Sequence, residues 1–241
     1  ISEGMVDDAA RKIGMDPLEI RRKNLISDNA YPCTSPSGLP FEKLSHHESL
    51  EKIVKMMDYA GLRKDQAEAR EEGIYRGIGL ATFIEVTNPG PAFYGVGGAA
   101  ISAQDGATIR LDAKGNIIIE TGVTEQGQGT EAVIAQCAAT ALGVSMDKIR
   151  VITGDTDVTP YGGGTWGSRA AGIGGEAAVQ AGKALRSNIV EVAGVMLQCE
   201  PSTLDIRDNN IVNVLDGKER MPLSEIGRIC CFGNVFSVFS R

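Results

Sequence analysis

The sequence predicts an α+β fold, and three observations carry that expectation. The first third of the chain has charged segments with apolar residues at helical spacing. Residues 107–122, ATIRLDAKGNIIIETG, alternate as a hairpin. Two small-residue loops, TGVTEQGQGTE at 121–131 and YGGGTWGSRAAGIGGE at 161–176, each lead into an alanine-rich helical segment. Charge and glycine divide the chain in the same sense. Residues 1–72 contain 14 acids and 11 bases, residues 120–200 only 9 and 5, and 21 of the 30 glycines lie between Gly73 and Gly175. The expected organisation is a charged helical segment over 1–72 and a glycine-rich α+β region over 73–241.

In chain order, Met5, Val6, Ala9 and Ile13 mark a first helix closed by Gly14. Asp16 then offers an N-cap, with Pro17 at the first helical position of the next. Residues 28–45 read as an irregular loop. Ser45 is placed to cap a helix over 46–60, with Leu50, Ile53, Val54, Met57 and Ala60 on its apolar side, and a further charged helix is expected over 63–72. IYRGIGLATFIEV at 74–86 reads as a strand with two glycines, followed by a loop at 87–98. The hairpin at 107–122 sets Ile109 and Leu111 opposite Ile117 and Ile119 across a turn at Asp112–Gly115. Val133, Ile134, Cys137, Ala138, Ala141 and Leu142 give a helix over 130–144, and Ile149 and Val151 a strand. A long small-residue helix follows Gly175 through Gln198, then a hairpin at 204–214 and a short helix at 222–229. Hairpin-then-helix and strand-then-helix give two similar loop-to-helix units, which suggests an approximate internal duplication.

At 241 residues and formal charge -7, the chain can bury a substantial core, and its acidity argues against a nucleic-acid partner. The five cysteines lack finger-like spacing, so free thiols in a reducing, cytoplasmic setting are expected. No apolar run reaches the length of a membrane span. His46 and His47 are the only histidines. They lack companion ligands and suit surface or capping roles, which leaves no histidine for a catalytic triad in the glycine-rich region. Asp155 and Asp157 suit a turn cap or a Mg²⁺ ligand, and two acids alone do not define a metal site. The opening without Met and the apolar ending CCFGNVFSVFSR lead to the expectation of further sequence or a covering partner.

The two loops carry the chemistry. Gly127 and Gly129 flank Gln128, whose amide offers both a donor and an acceptor to an oxo group, a carbonyl or a heterocycle edge; a tight turn with a surface glutamine is the plainer alternative. In the second loop, Gly162, Gly163 and Gly164 precede Thr165, Trp166, Gly167, Ser168 and Arg169. Bare backbone beside a hydroxyl and a guanidinium suits an anionic ligand, with Arg169 able to pair bidentately with phosphate or carboxylate. Neither a Walker loop nor a dinucleotide fingerprint is present. Composition therefore reaches a polar or phosphorylated ligand and goes no further.

Beyond composition, MVDDAARKIGMDPLEIRRKNL, TGVTEQGQGTE, ALGVSMDKIRVITGDTDVTPYGGGTWGSRA and GIGGEAAVQAG together resemble the molybdenum-binding large subunit of the xanthine dehydrogenase, aldehyde oxidoreductase and carbon monoxide dehydrogenase family. GTWGSR is similar to the bacterial multi-subunit enzymes in particular. The resemblance implies oxidative hydroxylation of an aldehyde or N-heterocycle with oxygen from water, or carbon monoxide oxidation. The implied cofactor is molybdopterin with molybdenum, in its cytosine dinucleotide form. [2Fe–2S] clusters are implied on a small partner subunit, and FAD on a medium one.

Carried over by residue, Gln128 resembles the glutamine that hydrogen-bonds an oxo ligand of molybdenum, with Gly127 and Gly129 shaping its loop. Thr165, Trp166, Gly167, Ser168 and Arg169 resemble the segment that holds the phosphate-bearing end of the cofactor, and Gly167 matches a small residue beside the metal. Phe83, Glu85, Phe93 and Tyr94 are candidates for the pocket lining. The family's arginine/glycine-rich loop and its catalytic glutamate have no counterpart here. Glu125 and Glu131 are read as loop or helix-cap residues. The missing parts come from sibling chains if the chain is natural, or from the rest of a longer subunit if it is a cut domain, and the chain by itself is expected to be inactive. Two alternatives stay open at this level: a non-catalytic domain of the same fold, and an unrelated nucleotide- or phosphate-binding module.

Overall fold

The structure, a computed structural model, describes residues 1–98, 100–101 and 103–233, so most of the apolar ending lies outside the described residues. The chain forms two compact units, Ile1–Ile84 and Glu85–Arg241.

In the first unit, α1 (Ser2–Lys12) and α2 (Pro17–Asn24) are tied through one buried cation. Arg21, 2% exposed, donates from Nε to Glu3 at 2.9 Å and from Nη1 to Asp7 at 2.7 Å. Asp16 caps α2 by accepting from the Leu18 N–H at 2.8 Å, as its position before Pro17 predicts. Within the expected loop at 28–45, a minimal hairpin pairs β1 (Cys33–Thr34) with β2 (Pro40–Phe41).

Two helices follow, α3 (His46–Met56) and α4 (Tyr59–Glu71), and their break falls earlier than the periodicity predicts. Asp58 adopts φ 47° and accepts from the Gly61 N–H at 3.3 Å, capping an α4 that begins at Tyr59, ahead of the expected start at 63. The expected strand at 74–86 does not form. Among the described residues it has no partner strand, and side chains engage its backbone: Gln66 donates to the Arg76 carbonyl at 2.8 Å, and Glu3 accepts from the Thr82 N–H at 2.7 Å.

The second unit is built on the predicted hairpin. β3 (Ala107–Leu111) and β4 (Ile117–Thr121) pair antiparallel with Ile109 opposite Ile119 and Leu111 opposite Ile117. Asp112 makes the turn by accepting from the Lys114 and Asn116 N–H groups at 2.8 Å. The chain then crosses through α5 (Thr130–Leu142) and returns as β5 (Ile149–Ile152), parallel to β4 on its other side. Residues Ala170–Gly174 form a π-helical turn that opens into α6 (Gly175–Leu197). The two loop-to-helix units are thus neighbours, β4 beside β5 and α5 against α6.

A second sheet, β6 (Leu204–Arg207), β7 (Asn210–Asn213) and β8 (Glu219–Pro222), precedes α7 (Leu223–Phe232). Its first turn uses Asp208 and Asn209 at positive φ, where the sequence places it. Ile117, Leu142, Ile189, Ile206, Ile211 and Leu223 join these elements in the main core. A smaller cluster of Ile119, Val123, Ile134, Ala138 and Ala178 lies against the two predicted loops, whose Val123 and Ala170 pack into it. Half-buried Cys137 packs there too. Burial, and secondarily Glu176, pushes its thiol pKa up, so it behaves as a packing residue, and all five cysteines are free.

Candidate functional site

The ends of β4 and β5 deliver the two loops, and one hydroxyl joins them. Thr165 Oγ1 accepts from the Thr124 N–H at 2.7 Å and donates to the Thr124 carbonyl at 2.8 Å. Gln126 Nε2 adds a contact to the Thr165 carbonyl at 3.2 Å. Against this clamp lies a cleft of about 270 Å³ lined by Gln128, Thr130, Val133, Thr165, Ser168, Ala170 and Ala171. Three residues singled out from the sequence, Gln128, Thr165 and Ser168, therefore face one space.

The first loop curls through Gly127 at φ 94° and Gly129 at φ 85°, conformations that a side chain would strain. Gln128 Oε1 accepts from the Gln126 N–H at 2.6 Å. Its Nε2 donates to Thr130 Oγ1 at 2.8 Å and to the Thr124 carbonyl at 3.4 Å. Glu125 accepts from the Gly127, Gly129 and Glu131 N–H groups at 2.8, 3.0 and 3.1 Å, so its reading as a loop and cap residue holds. These amide donors, that of Glu131 foremost, hold its carboxyl below the usual glutamate range. Thr130 does not cap the helix. It is 2% exposed, and Gly129 stands at the N-cap position.

In the second loop, Gly167 and Ser168 both take φ 53°. A Cβ at Gly167 would come within 3.2 Å of Pro89 and would sit on a left-handed backbone, so a side chain there would be both crowded and strained. Asn88 N–H donates to the Gly167 carbonyl at 2.9 Å, and Ser168 Oγ donates to Glu85 at 2.7 Å. Trp166 Nε1 donates to the Gly163 carbonyl at 3.0 Å, and its ring lies 5.5 Å from that of Phe93. Tyr94 is exposed. Phe83 is exposed in the first unit.

Arg169, read from the sequence as a partner for a phosphate or carboxylate, meets a carboxylate of its own chain. Its side chain has no exposure and forms an ion pair at 3.0 Å with Asp105, which is equally enclosed. Nη1 also donates to the Gly164 carbonyl, and Nη2 to the Ala103 and Gln104 carbonyls at 3.0 and 2.8 Å. These bonds commit the terminal nitrogens inward, and Arg169 braces the second loop from behind. Asp105 sits where Gly122 and Gly162 cross, since a Cβ at either glycine would approach its carboxylate to 2.6 or 2.5 Å. Asp105 was not singled out from the sequence, Val133 was read only as a packing residue, and Thr124, Ala170 and Ala171 lie in the two loops without having been given a role.

Asp155 accepts from the Asp157 N–H at 3.1 Å in the turn after β5. Among the described residues, no group of three or more His, Cys, Asp or Glu side chains is positioned to hold a metal ion directly.

This geometry belongs to a recognisable class. Residues 52–235 match the molybdopterin cofactor-binding domain, and the chain belongs to that family. It is 34% identical over 93% of its length to the nicotine 6-hydroxylase large subunit of Paenarthrobacter nicotinovorans, covering 27% of that protein. It is 36% identical over 84% of its length to the carbon monoxide dehydrogenase large chain of Hydrogenophaga pseudoflava, covering 26% of it. The crystal structure of quinoline 2-oxidoreductase from Pseudomonas putida 86 superposes with a TM-score of 0.61 at 31% identity, over 97% of this chain and 30% of that one. The chain thus spans roughly a quarter to a third of the length of these three relatives.

Proposed function

We propose that this chain is the part of a molybdenum hydroxylase large subunit that holds molybdopterin between the 124–131 and 161–171 loops. The observation that carries the reading is the single cleft shared by Gln128, Thr165 and Ser168 in a chain of the molybdopterin-binding family. The donor set fits such a group. The Thr165 and Ser168 hydroxyls already donate to the Thr124 carbonyl and to Glu85, and so present lone pairs to a heterocycle N–H. The Gln128 amide can donate after exchanging a partner, and the glycine-rich backbone is available for N–H contacts. In this reading Gly127, Gln128, Gly129, Thr165, Trp166, Gly167 and Ser168 hold the cofactor, and Arg169 fixes their loop without touching it.

When bound, molybdopterin supplies a molybdenum centre able to hydroxylate an aldehyde or N-heterocycle with oxygen from water, or to oxidise carbon monoxide. The chain's own residues bind and orient. Thr165 sets the spacing of the loops, and Ser168 is aimed by its bond to Glu85. Gln128 can reach an oxo ligand only by releasing Thr130 or Thr124, so that role entails an exchange of partners within the loop. The cytosine dinucleotide form, [2Fe–2S] and FAD partner subunits and a cytoplasmic setting belong to the same proposal. That relatives are named as large subunits or chains supports the presence of partner subunits. The remainder of the subunit, with the base that the chemistry needs, is assigned to sequence or sibling chains outside these residues.

The test is the complete native assembly, assayed for molybdenum by elemental analysis and for pterin by fluorescence after oxidation. Stoichiometric molybdenum and pterin are expected. Thr165→Val removes both clamp hydrogen bonds and should lower cofactor retention about tenfold or more. A native assembly carrying neither molybdenum nor pterin overturns the reading.

A further inference from the structure

The GQG loop contains its own anion. Glu125 Oε1 accepts from the N–H groups of Gln126, Gly127 and Gly129 at 3.1, 2.8 and 3.0 Å, and Oε2 accepts from Glu131 at 3.1 Å. Four amides converging at the start of a helix form the kind of nest that ordinarily takes a phosphate. Here the positive end of α5 is answered from within the chain. The N-cap residue is Gly129, which has no side chain, and Thr130 turns to the cleft, so no nearer residue caps the helix. The other titratable group in this stretch, Glu131, is an exposed anion, and the donors to Glu125 are all backbone amides.

We infer that Glu125 is a positioning residue: its carboxylate shapes residues 125–131, turns Gln128 and Thr130 toward the cleft, and reserves the loop amides and the Glu131 amide of α5 against an external anion. The wall that the GQG loop presents is then neutral, and a phosphate group of a ligand is left to the Thr165–Ala171 side. This last point rests on the proposed ligand; the shaping of the loop does not.

The test uses the intact assembly and hydrogen exchange of peptides spanning 122–133, comparing the native protein with Glu125→Ala and Glu125→Gln. Glu125→Ala should speed exchange there about tenfold, the loss of charged hydrogen bonds, while the β4 amides stay protected and report an intact fold. Added acetate should restore part of that protection in Glu125→Ala alone. Inorganic pyrophosphate should protect the same amides in that variant and leave the native protein unchanged. Glu125→Gln, isosteric and uncharged, should fall between the two. Native exchange rates in Glu125→Ala, or full native protection in Glu125→Gln, would overturn the inference. If the loop loosens in Glu125→Ala while pterin retention stays native, its bearing on the ligand is overturned. Absence of pterin from the native protein defeats the ligand reading instead, and exchange then decides the shaping of the loop by itself.

Discussion

Asp105 and Arg169 illustrate how much one pair of side chains supports. Both are fully enclosed, and burial raises the Asp105 carboxyl above its usual range despite the opposing pull of the Gly106 N–H and of Arg169. Removing one partner leaves a buried charge unanswered, so Arg169→Met should cost about 3–5 kcal/mol in urea unfolding. An Arg169→Met/Asp105→Leu pair should recover part of that loss, and additive losses would show that the two act independently.

Glu125 gives a pH dependence of definite sign. Its folded pKa is lowered, so its contribution is fully present above the ordinary glutamate value and is lost as pH falls through the lower folded value. Exchange at 126–131, corrected for intrinsic rates, should therefore rise only at acid pH, and a loop equally protected throughout that range would exclude this. At this scale the sequence was half legible. Gln128, Thr165 and Ser168 stood out because glycine bared the backbone around them. Arg169 stood out for the same reason, but a guanidinium marks an anion site and a buried ion pair alike, so the residue type did not say which anion it meets. Asp105 lies 64 residues from its partner, with nothing in its neighbourhood to connect them.

Among elements, the contact of α5 with α6 fixes the loops, because each helix begins where a loop ends. It depends on small residues: a Cβ at Gly182 would come within 2.8 Å of the Ala141 methyl. Gly182→Val should overpack this crossing and cost about 1–3 kcal/mol, read as a lower midpoint in thermal or denaturant unfolding. The periodicity that located both helices and the β3–β4 hairpin says nothing about strand direction, so the parallel pairing of β4 with β5 was invisible to it. Alternation also misled at 74–86, where an apolar pattern is present but side chains engage the backbone in place of a neighbouring strand. The break between α3 and α4 turned on one aspartate in a left-handed conformation, a local choice no window average detects.

For the whole molecule, a ligand held by the two loops should reveal itself beyond the cleft. Binding at a thousand times its dissociation constant adds about 4 kcal/mol to the state that binds. Stripping the cofactor from the native assembly should therefore raise exchange at 124–131 and 162–171 and leave the α1–α4 unit unchanged. Equal protection with and without it would place the ligand elsewhere. The joint between the loops also bears on how such a protein can diversify over descent. Thr165 reaches Thr124 only through main-chain atoms, so any residue with a backbone N–H at 124, proline excepted, can keep the joint. Substitution at 124 can then reshape the surroundings of the cleft without undoing the clamp, whereas the clamp itself depends on a hydroxyl at 165.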